Sequence, residues 1–531
     1  MPEPVTGDQL VERLEALDVH APRDKDYVYV KNAMETPGTP NSANELPSTA
    51  WESTLSISTA QQWEKELLQD PKACLVQSYH FIRYALAPGL SANRITQNRL
   101  ALSALSGTDP KQVLTQRSAT IADTQNFNVK IKLEGAPITN QRSSGRCWLF
   151  AATNVFRVAI MRRYNLKEFE LSQSYLFFWD KLEKANYFLE QILDTTDEEL
   201  DGRLVQTLMA SPVGDGGQWD MVANLVEKYG LVPQNLYPDS HNAMNSSTMA
   251  SLITTKLRED ALELRRLASK SADPKSTLGS VKDKMMQEIH RILTIMLGPP
   301  PNPKKDMIWE YYDKDDKFGS LTTSPLGFAS ELSSKASVEA NRGADVHELF
   351  SLVNDPRNAY GDLLSVSRLG NVIGLRGVRY VNVDMDTMKA ACIAMLKAEL
   401  PIFFGSDVGK FSDSKSGIMD PGLIDYELGF NIRLGLTKAQ RLKTGESAMT
   451  HAMVLTAVHL DGDGMPVRWR VQNSWGEGAG TKGWFVMSDK WMDQFVYQAV
   501  VDPQFVSKET RDVLDKEPKV LPLWDPMGAL A

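Results

Sequence analysis

The stretch from Gln141 to Trp148, which reads Q-R-S-S-G-R-C-W, constrains this chain more than any other. It places Cys147 directly after a Ser-Ser-Gly-Arg turn and directly before an apolar run, 148–160, that predicts a buried helix. A thiol in the first turn of a helix lies at the positive end of the helix dipole, which favours the thiolate form. The side chain of Gln141, six residues earlier, can supply an N–H donor near the same sulfur. The pattern therefore predicts a nucleophilic cysteine.

A cysteine nucleophile needs a base, and the base needs a partner that orients it. His451 opens an apolar, β-branched run, H-A-M-V-L-T-A-V, which predicts a buried strand. Asn473 follows in V-Q-N-S-W-G, at the end of the strand-like segment 467–472. We interpret Asn473 as the acceptor for one imidazole nitrogen, which leaves the other nitrogen facing the sulfur. Trp475 would cover that hydrogen bond and exclude water.

Each of these residues alone has a plainer interpretation. A single cysteine before an apolar helix is usually a core residue, His451 alone would more often be a satisfied core histidine, and Asn473 alone would be a turn residue. The ordered set of Gln, Cys, His and Asn in these contexts reverses that preference. The other two cysteines, Cys74 and Cys392, lie in short apolar runs without metal-ligand spacing, so we expect them to be small core residues.

The motif Q-x-x-x-G-x-C-W, the histidine at a strand start and N-S-W-G together resemble the papain superfamily of cysteine peptidases. The resemblance is closer still to its bleomycin hydrolase branch and extends from Pro137 to Ala531. The stretches that carry it are PITNQRSSGRCW, LSQSYLFFWDK, DGGQWDM, VEKYGLVP, FFGSDVGK, GESAMTHAM, VQNSWGE and LPLWDPMGALA. It implies an α+β, papain-like cysteine peptidase fold with a helical insertion domain and with N-terminal and C-terminal arms.

The resemblance also implies an activity: an aminopeptidase that hydrolyses peptide and small amide bonds through a thioester intermediate, with homocysteine thiolactone hydrolysis as a side activity. The implied catalytic residues are Cys147, His451, Asn473 and Gln141. Substrates would be peptides with a free N-terminus, the assembly would be a homohexamer, and neither a metal ion nor an organic cofactor is implied. A catalytically dead scaffold is the disfavoured alternative, because all four site residues are present.

Substrate binding is implied at Gly216, Gly217 and Ala531. Without the resemblance, the glycine pair would more simply be a turn before a helix, although adjacent glycines do let a backbone approach an extended ligand closely. The C-terminal stretch 521–531 contains two prolines that stiffen it and is more apolar than a loose terminus usually is. In the resembling family this arm lies in the cleft, and the carboxylate of Ala531 would face the free amine of the substrate.

Pattern and composition divide the 531 residues into six expected segments. They are 1–58, a largely linker-like N-terminal extension; 59–125, an N-terminal helical arm; 126–239, the first papain-like half with the catalytic cysteine; 240–377, the helical insertion; 378–501, the second papain-like half with the histidine and asparagine; and 502–531, a C-terminal arm that reaches the active site. Helical spacing predicts two long helices near 253–267 and 286–296, the second stopped by Gly298 and Pro299. A helix over 388–396 and a strand over 401–405 are expected in the second half.

Cysteine usage and the N-terminus bear on the compartment. Three cysteines in a chain of this length, one of them a candidate thiolate, indicate a reducing environment, most simply the cytoplasm. The N-terminus has no apolar signal segment and is acidic early, unlike an Arg-rich presequence, although a mitochondrial pool is left open. We expect no membrane association, because no run reaches the roughly 18 apolar residues of a membrane span.

A second hypothesis, from another functional class, is that the chain is a nucleic-acid-binding regulator, and the charge of the chain bears on it. The net charge of −9, from 58 basic and 67 acidic residues, argues against a globally basic nucleic-acid protein. The expected insertion does carry a set of basic residues, Lys256, Arg258, Arg265, Arg266, Lys270, Lys275, Lys282 and Lys284. Acidic residues are interspersed among them, so a mixed, solvated helix face is the better interpretation. We therefore expect weak nucleic-acid binding at most.

Overall fold

The computed structural model describes residues 56–68, 88–270 and 278–530. The chain divides into two units, 1–66 and 67–531. Helix α1 (Ile57–Leu68), most of which belongs to the first unit, begins after Ser56, whose hydroxyl accepts the backbone N–H of Thr59 at 3.1 Å. Most of the N-terminal extension predicted for 1–58 and Cys74 lie outside the described residues. The segment boundaries expected within the second unit stay predictions.

Helices dominate the described part of the second unit up to residue 297. They are α2 (Pro88–Leu105), α3 (Pro110–Val113), α4 (Arg117–Ala122), α5 (Cys147–Arg163), α6 (Gln173–Asp194), α7 (Arg203–Ala210), α8 (Trp219–Tyr229), α9 (His241–Met244), α10 (Ser247–Ala268) and α11 (Gly279–Leu297), with a 3-10 turn at Gln234–Leu236. The helix predicted to begin at Cys147 is confirmed, as are the two long helices predicted in the insertion. Gly298 ends α11 with a φ of 88°, which suits glycine.

Strands follow, together with shorter helices. The strands are β1 (Val129–Lys130), β2 (Met307–Tyr312), β3 (Phe318–Thr323), β4 (Phe350–Val353), β5 (Leu363–Val366), β6 (Tyr380–Asn382), β7 (Ile402–Ser406), β8 (Ser412–Asp413), β9 (Ile418–Met419), β10 (His451–Leu460), β11 (Pro466–Gln472), β12 (Trp484–Ser488), β13 (Val496–Val501) and β14 (Lys519–Leu521). The helices are α12 (Pro325–Ser330), α13 (Lys335–Ala340), α14 (Met385–Lys397), α15 (Tyr426–Phe430), α16 (Lys438–Thr444), α17 (Asp489–Phe495) and α18 (Lys508–Asp512). Single 3-10 turns lie at Glu331–Ser333, Pro503–Phe505, Val513–Asp515 and Pro526–Gly528.

Twelve strands form one mixed sheet in the order β14-β5-β6-β4-β13-β7-β10-β11-β12-β9-β8, with β1 paired to β10. The long strand β10 lies inside this sheet and pairs antiparallel with both β7 and β11. Its first residue, His451, lies opposite Ser406, the last residue of β7. Strands β2 and β3 form a separate hairpin.

Two large apolar clusters flank β10. Helix α5 is buried along nearly its whole length, as expected for a helix that is apolar on all sides, and it packs with α6, α8, α10 and α11 in the first cluster. Helix α14 packs with the sheet in the second cluster. Strand β10 contributes residues to both clusters. The N-terminal end of α5 lies near the start of β10, since the backbone of Ala452 is close to Cys147. Helices and a mixed sheet segregate in this way in α+β proteins.

The expectation of a helical block over 240–377 is wrong beyond residue 297. The hairpin β2–β3 follows there, and β4, β5 and two short helices lie in the same block. Strand β4 is the fully buried tetrapeptide F-S-L-V, a run too short to distinguish helix from strand by periodicity. Its partners are β13, more than a hundred residues away in the chain, and β6. Within the described ranges, no helix is both long enough and apolar enough to cross a bilayer.

Candidate active site

Cys147 is the first residue of α5, and its thiol is surrounded by backbone donors. The backbones of Cys147, Trp148 and Ala452 lie close enough to the sulfur to lower the pKa of the thiol. Ala452 directly follows His451 at the start of β10, so the helix start and the strand start converge on one thiol. The first turn of a helix also offers N–H groups without partners inside the helix. This is the environment that the sequence predicts for a nucleophile.

Burial acts against ionisation of this thiol. Desolvation raises the pKa of Cys147 from 9.0 to about 11, and the three backbone donors offset only part of that increase. Desolvation therefore acts against the thiolate that the helix dipole favours, and the thiolate stays a prediction. Cys392, in α14, is also buried, and burial raises its pKa to about 12. Both cysteines are free thiols.

His451 is held by Asn473, as the sequence predicts. The Nε2 atom of His451 lies 2.9 Å from Asn473 Oδ1. The backbone N–H of Ser474 also donates to Asn473 Oδ1, at 2.8 Å, which identifies that atom as the amide oxygen. Because an amide oxygen only accepts, His451 Nε2 carries the proton and Nδ1 is the basic nitrogen. Burial lowers the pKa of His451 from 6.5 to about 4, and the bond with Asn473 opposes that shift.

Aromatic and loop contacts enclose this pair. The ring of Trp475 lies over His451 with its centroid 4.9 Å away, as the sequence suggests. Gln141 is locked to the same loop, because its backbone N–H donates to Ser474 O at 2.8 Å and its Oε1 accepts from Ser474 Oγ at 2.7 Å. Its amide nitrogen donates to Ser144 O at 2.6 Å, which leaves one of the two N–H bonds of that nitrogen for another acceptor. Gln141 thus joins the loop before Cys147 to the loop after Asn473.

The glycine pair lies against the residue that follows the candidate nucleophile. A Cβ atom at Gly217 would come within 2.5 Å of the Trp148 ring, so only glycine fits there without displacement. The Trp148 Nε1–H donates to Asp215 O at 2.7 Å. The backbone carbonyl of Gly216 accepts a hydrogen bond from Lys184 Nζ at 2.6 Å, which holds this residue in place. The predicted glycines therefore lie at a fixed place beside the first turn of α5.

Sequence reasoning missed the charged residues that hold this loop. Asp215 accepts the backbone N–H of Gly145 at 3.0 Å and pairs with Lys181 Nζ at 2.6 Å. Burial alone would raise the pKa of Asp215, but Lys181, Ser246 and Gly145 together lower it to about 2. A signal was present, because Asp215 directly precedes the glycine pair and Lys181 interrupts an apolar helical run. The charge on Asp215 thereby ties the loop before Cys147 to α6.

Arg146, the residue before Cys147, is fully buried and makes a two-pronged ion pair. Its two terminal nitrogens donate to Asp239 at 2.8 and 3.0 Å. Its guanidinium also lies over the rings of Phe150 and Phe177, 5.1 and 5.5 Å from their centroids. Paired and stacked arginines of this kind are rigid, so the backbone at the start of α5 is firmly positioned.

The C-terminal segment approaches the glycine pair from the other side. Gln218, which directly follows Gly217, donates from Nε2 to the backbone carbonyl of Ala529 at 2.6 Å. Ala531, the predicted amine-binding residue, lies outside the described residues. Among the residues that are described, no group of three or more His, Cys, Asp or Glu side chains is arranged to hold a metal ion.

The chain is similar to several known proteins. The family model described as Peptidase C1-like family matches residues 90–528. Cysteine proteinase 1, mitochondrial, of Saccharomyces cerevisiae is 46% identical over 417 residues, which cover 77% of this chain and 84% of the relative. Bleomycin hydrolase of Homo sapiens is 42% identical over 467 residues, 83% of this chain and 99% of the relative. The crystal structure of PepW from Lactobacillus rhamnosis HN001 superposes with a TM-score of 0.80 at 39% identity and covers 90% of this chain and all of that one.

The chain belongs to the Peptidase C1-like family and is a cysteine peptidase with an α+β, papain-like fold. Within that class it is of the bleomycin hydrolase type, because bleomycin hydrolases match it over nearly their whole length. The family and the fold class predicted from the sequence are thereby confirmed. The roles of the individual site residues stay predictions at this point.

Proposed function

We propose that this cysteine peptidase is an aminopeptidase that hydrolyses peptide and small amide bonds through a thioester at Cys147. The observation that carries the proposal is that Cys147 begins a buried helix near the start of a strand whose first residue, His451, is hydrogen-bonded to Asn473 at 2.9 Å. In this proposal Cys147 is the nucleophile, His451 the base and Asn473 the orienting partner, although more than three hundred residues separate the first from the other two.

In the proposed reaction the same groups act twice, first when the thioester forms and again when water hydrolyses it. His451 Nδ1 accepts the thiol proton while Cys147 sulfur forms a bond to the substrate carbonyl carbon. The remaining N–H of Gln141 Nε2 and the backbone N–H of Cys147 donate to the resulting oxyanion. His451 then protonates the leaving amine as the C–N bond breaks, and a water molecule activated by His451 hydrolyses the thioester. Asn473 keeps the proton on Nε2 throughout.

The protonation of the buried pair fits this sequence of steps. Burial raises the pKa of Cys147 and lowers that of His451, so both groups are neutral when each is considered alone. Proton transfer between them creates two opposite charges together, whose attraction offsets the desolvation that each charge would suffer separately. The proton that His451 gives to the leaving amine therefore comes from the Cys147 thiol and not from bulk water.

Selective loss of one thiol tests the nucleophile. Cys147→Ala should abolish hydrolysis of amino-acid amides and of homocysteine thiolactone, whereas Cys392→Ala, a change at an equally buried free thiol, should retain it. Iodoacetamide should label Cys147 before Cys392, as measured by peptide mass spectrometry. Retained hydrolysis in Cys147→Ala would contradict the site assignment.

The approach of the C-terminus supports the aminopeptidase part of the proposal. The bond from Gln218 to Ala529 places the chain two residues from its end beside Gly217. The carboxylate of Ala531 would then pair with a substrate ammonium and block longer chains, with Gly216 and Gly217 binding the substrate backbone. Deleting 528–531 should reduce release of N-terminal residues and permit internal cleavage of N-acetylated peptides. An unchanged requirement for a free amine would contradict this role.

Assembly and compartment are proposed on the resemblance alone. We expect a homohexamer, which native mass spectrometry should detect as six times the mass of one chain, and a monomer would contradict it. We also expect the protein in the cytoplasm, although the relative from Saccharomyces cerevisiae is named mitochondrial. Fractionation of cells that produce the full chain tests the second expectation, since enrichment in mitochondria would overturn it.

A further inference from the structure

The last described residues form a tail that is fixed at several points along one path. Strand β14 adds to the edge of the main sheet by parallel pairing with β5. Beyond it, Met527 is buried in a small apolar cluster with residues of β4, β5 and β6. Trp524, about two-fifths exposed, lies under the guanidinium of Arg203 at 4.3 Å. The path of the tail is therefore set by packing as far as Met527.

A charged anchor holds the tail just before that point. Arg357 Nη2 donates to Asp525 Oδ1 at 2.7 Å, and both side chains are nearly buried. Arg357 is itself positioned by Asp355, which accepts from its Nε and Nη2 at 2.9 and 2.8 Å. The same Asp525 oxygen accepts the backbone N–H of Met527 at 2.9 Å. Charge-assisted bonds of this kind hold a segment in one register.

A second, neutral anchor lies four residues further on. Gln218 is fully buried, and its amide donates to the carbonyl of Ala529 at 2.6 Å. Gln218 directly follows Gly217, which contacts the ring of Trp148, the neighbour of Cys147. A short series of contacts thus connects Ala529 to the nucleophile.

We infer that Asp525, held by Arg357, and Ala529, held by Gln218, fix the path of residues 525–529 relative to the loop beside Cys147, and that Arg357 and Gln218 are therefore specificity-determining positioning residues. The inference rests on the proposed role of the C-terminus. If the anchors loosen, residues 525–529 lose their fixed place, so that longer or amine-blocked chains can enter. The chemistry at Cys147 is unaffected, because neither anchor contacts the reacting groups.

The test uses two substitutions, each with a matched control. Asp525→Asn weakens the bond to Arg357 while Asp355 still neutralises that arginine, and its control is Asp512→Asn, which weakens an exposed pair with Lys508. Gln218→Glu replaces the donor to Ala529 by an oxygen, and its control is Gln206→Glu, which removes a similar bond to Leu200 O. Each full-length variant is given one peptide in free-amine and N-acetylated forms, and mass spectrometry identifies the cleavage positions.

We expect each anchor variant to raise the ratio of internal to N-terminal cleavage by about tenfold, and the double variant to approach the deletion of 528–531. A general carboxypeptidase should also remove Ala531 and Leu530 faster from the anchor variants, a readout that is independent of activity. Thermal unfolding identifies a variant that fails to fold, in which case the other anchor variant decides the matter.

The outcomes separate the two ideas. If the deletion changes specificity and both anchor variants behave like their controls, the anchors do not position the tail and this inference is overturned. If the deletion itself leaves specificity unchanged, the proposed role of the C-terminus fails first, and the inference fails with it. A rise in the ratio of internal to N-terminal cleavage in the anchor variants, without a rise in their controls, supports the inference.

Discussion

At the scale of single residues, burial controls the chemistry of the site. The desolvated thiol of Cys147 and the desolvated imidazole of His451 have pKa values shifted in opposite directions, toward about 11 and about 4. Three backbone donors and one asparagine oppose those shifts without cancelling them. Each charged form is therefore unfavourable alone, and catalysis depends on forming both charges together.

The acid side of the pH profile should report His451. The base must be neutral to accept the thiol proton, and its pKa in the folded protein is about 4 instead of 6.5. We expect kcat/KM to persist well below pH 6.5 and to fall as the pH decreases through about 4. Because the unfolded chain protonates His451 first, this group should also reduce the free energy of unfolding between pH 6.5 and 4, by up to roughly 3 kcal/mol. An acid limb of the kcat/KM profile with its midpoint at pH 6.5 or above would contradict the lowered pKa of His451.

Gly217 shows how one side chain would disturb the site through space alone. Its φ lies outside the left-handed region, so alanine is acceptable to the backbone, but the added Cβ would lie 2.5 Å from the Trp148 ring. We expect Gly217→Ala to lower the free energy of unfolding by about 1–3 kcal/mol and to lower kcat/KM by displacing Trp148. Denaturant unfolding and amide hydrolysis measure the two effects.

The matched control for Gly217 is Gly279→Ala. There a Cβ would meet no described atom within 4 Å, and the residue lies in helix α11. Its stability should be unchanged or slightly higher. Equal effects of the two substitutions would show that contact with Trp148 is not the cause.

At the scale of elements, helix α6 supports the loop that carries the glycine pair. Lys184 donates to the carbonyls of Gly214 and Gly216 at 2.8 and 2.6 Å, and pairs with Asp180 one turn earlier at 2.8 Å. Burial lowers the pKa of Lys184, and the ion pair with Asp180 opposes that shift. One turn of a helix thus positions a loop thirty residues away, which the spacing of charges within α6 alone could not indicate.

Removing this lysine should separate stability from function. Lys184→Met leaves Asp180 buried without its cation, so the free energy of unfolding should fall by about 3–5 kcal/mol. Adding Asp180→Asn should restore much of that loss, while kcat/KM stays low because the two glycine carbonyls still lack their donor. Lys508→Met, which breaks an exposed pair of the same spacing, should change little. Full recovery of kcat/KM in the double variant would show that Lys184 does not position the loop.

At the scale of the whole molecule, basic side chains of the expected insertion already pair with other groups of the same chain, which disfavours nucleic-acid binding. Lys256 pairs with Asp260 and Glu288, and Arg266 pairs with Glu263. Arg265 donates to the backbone carbonyls of two residues at the end of α6 and beyond it. Cations that already have partners release few counterions on binding DNA, and the chain carries a net charge of −9.

We therefore expect weak DNA binding at most. Fluorescence anisotropy of a duplex at two salt concentrations should show little binding near physiological salt, and replacing Arg265, Arg266 and Lys270 by Glu should reduce what remains. Tight binding that survives those replacements would contradict this placement of the basic residues.

Local patterns in the sequence were sufficient for the family, the helix that begins at Cys147, the strand that begins at His451 and the bond from His451 to Asn473. Each depends on a motif, a periodicity or a preference of a few neighbouring residues. The two long helices α10 and α11 and the helix α14 were predicted for the same reason. The sequence also indicated that the C-terminus is apolar and stiff.

Only the tertiary structure decided that β4 and β5 are strands of the main sheet, that Asp215 and Lys184 hold the glycine loop, and that Gln218 meets Ala529. It also decided how far Cys147 is buried, and this burial raises the pKa of its thiol. The physical reason is common to all of these. Pairing and desolvation depend on which remote segments come together in space, whereas helix starts and apolar periodicity depend on neighbours in the chain.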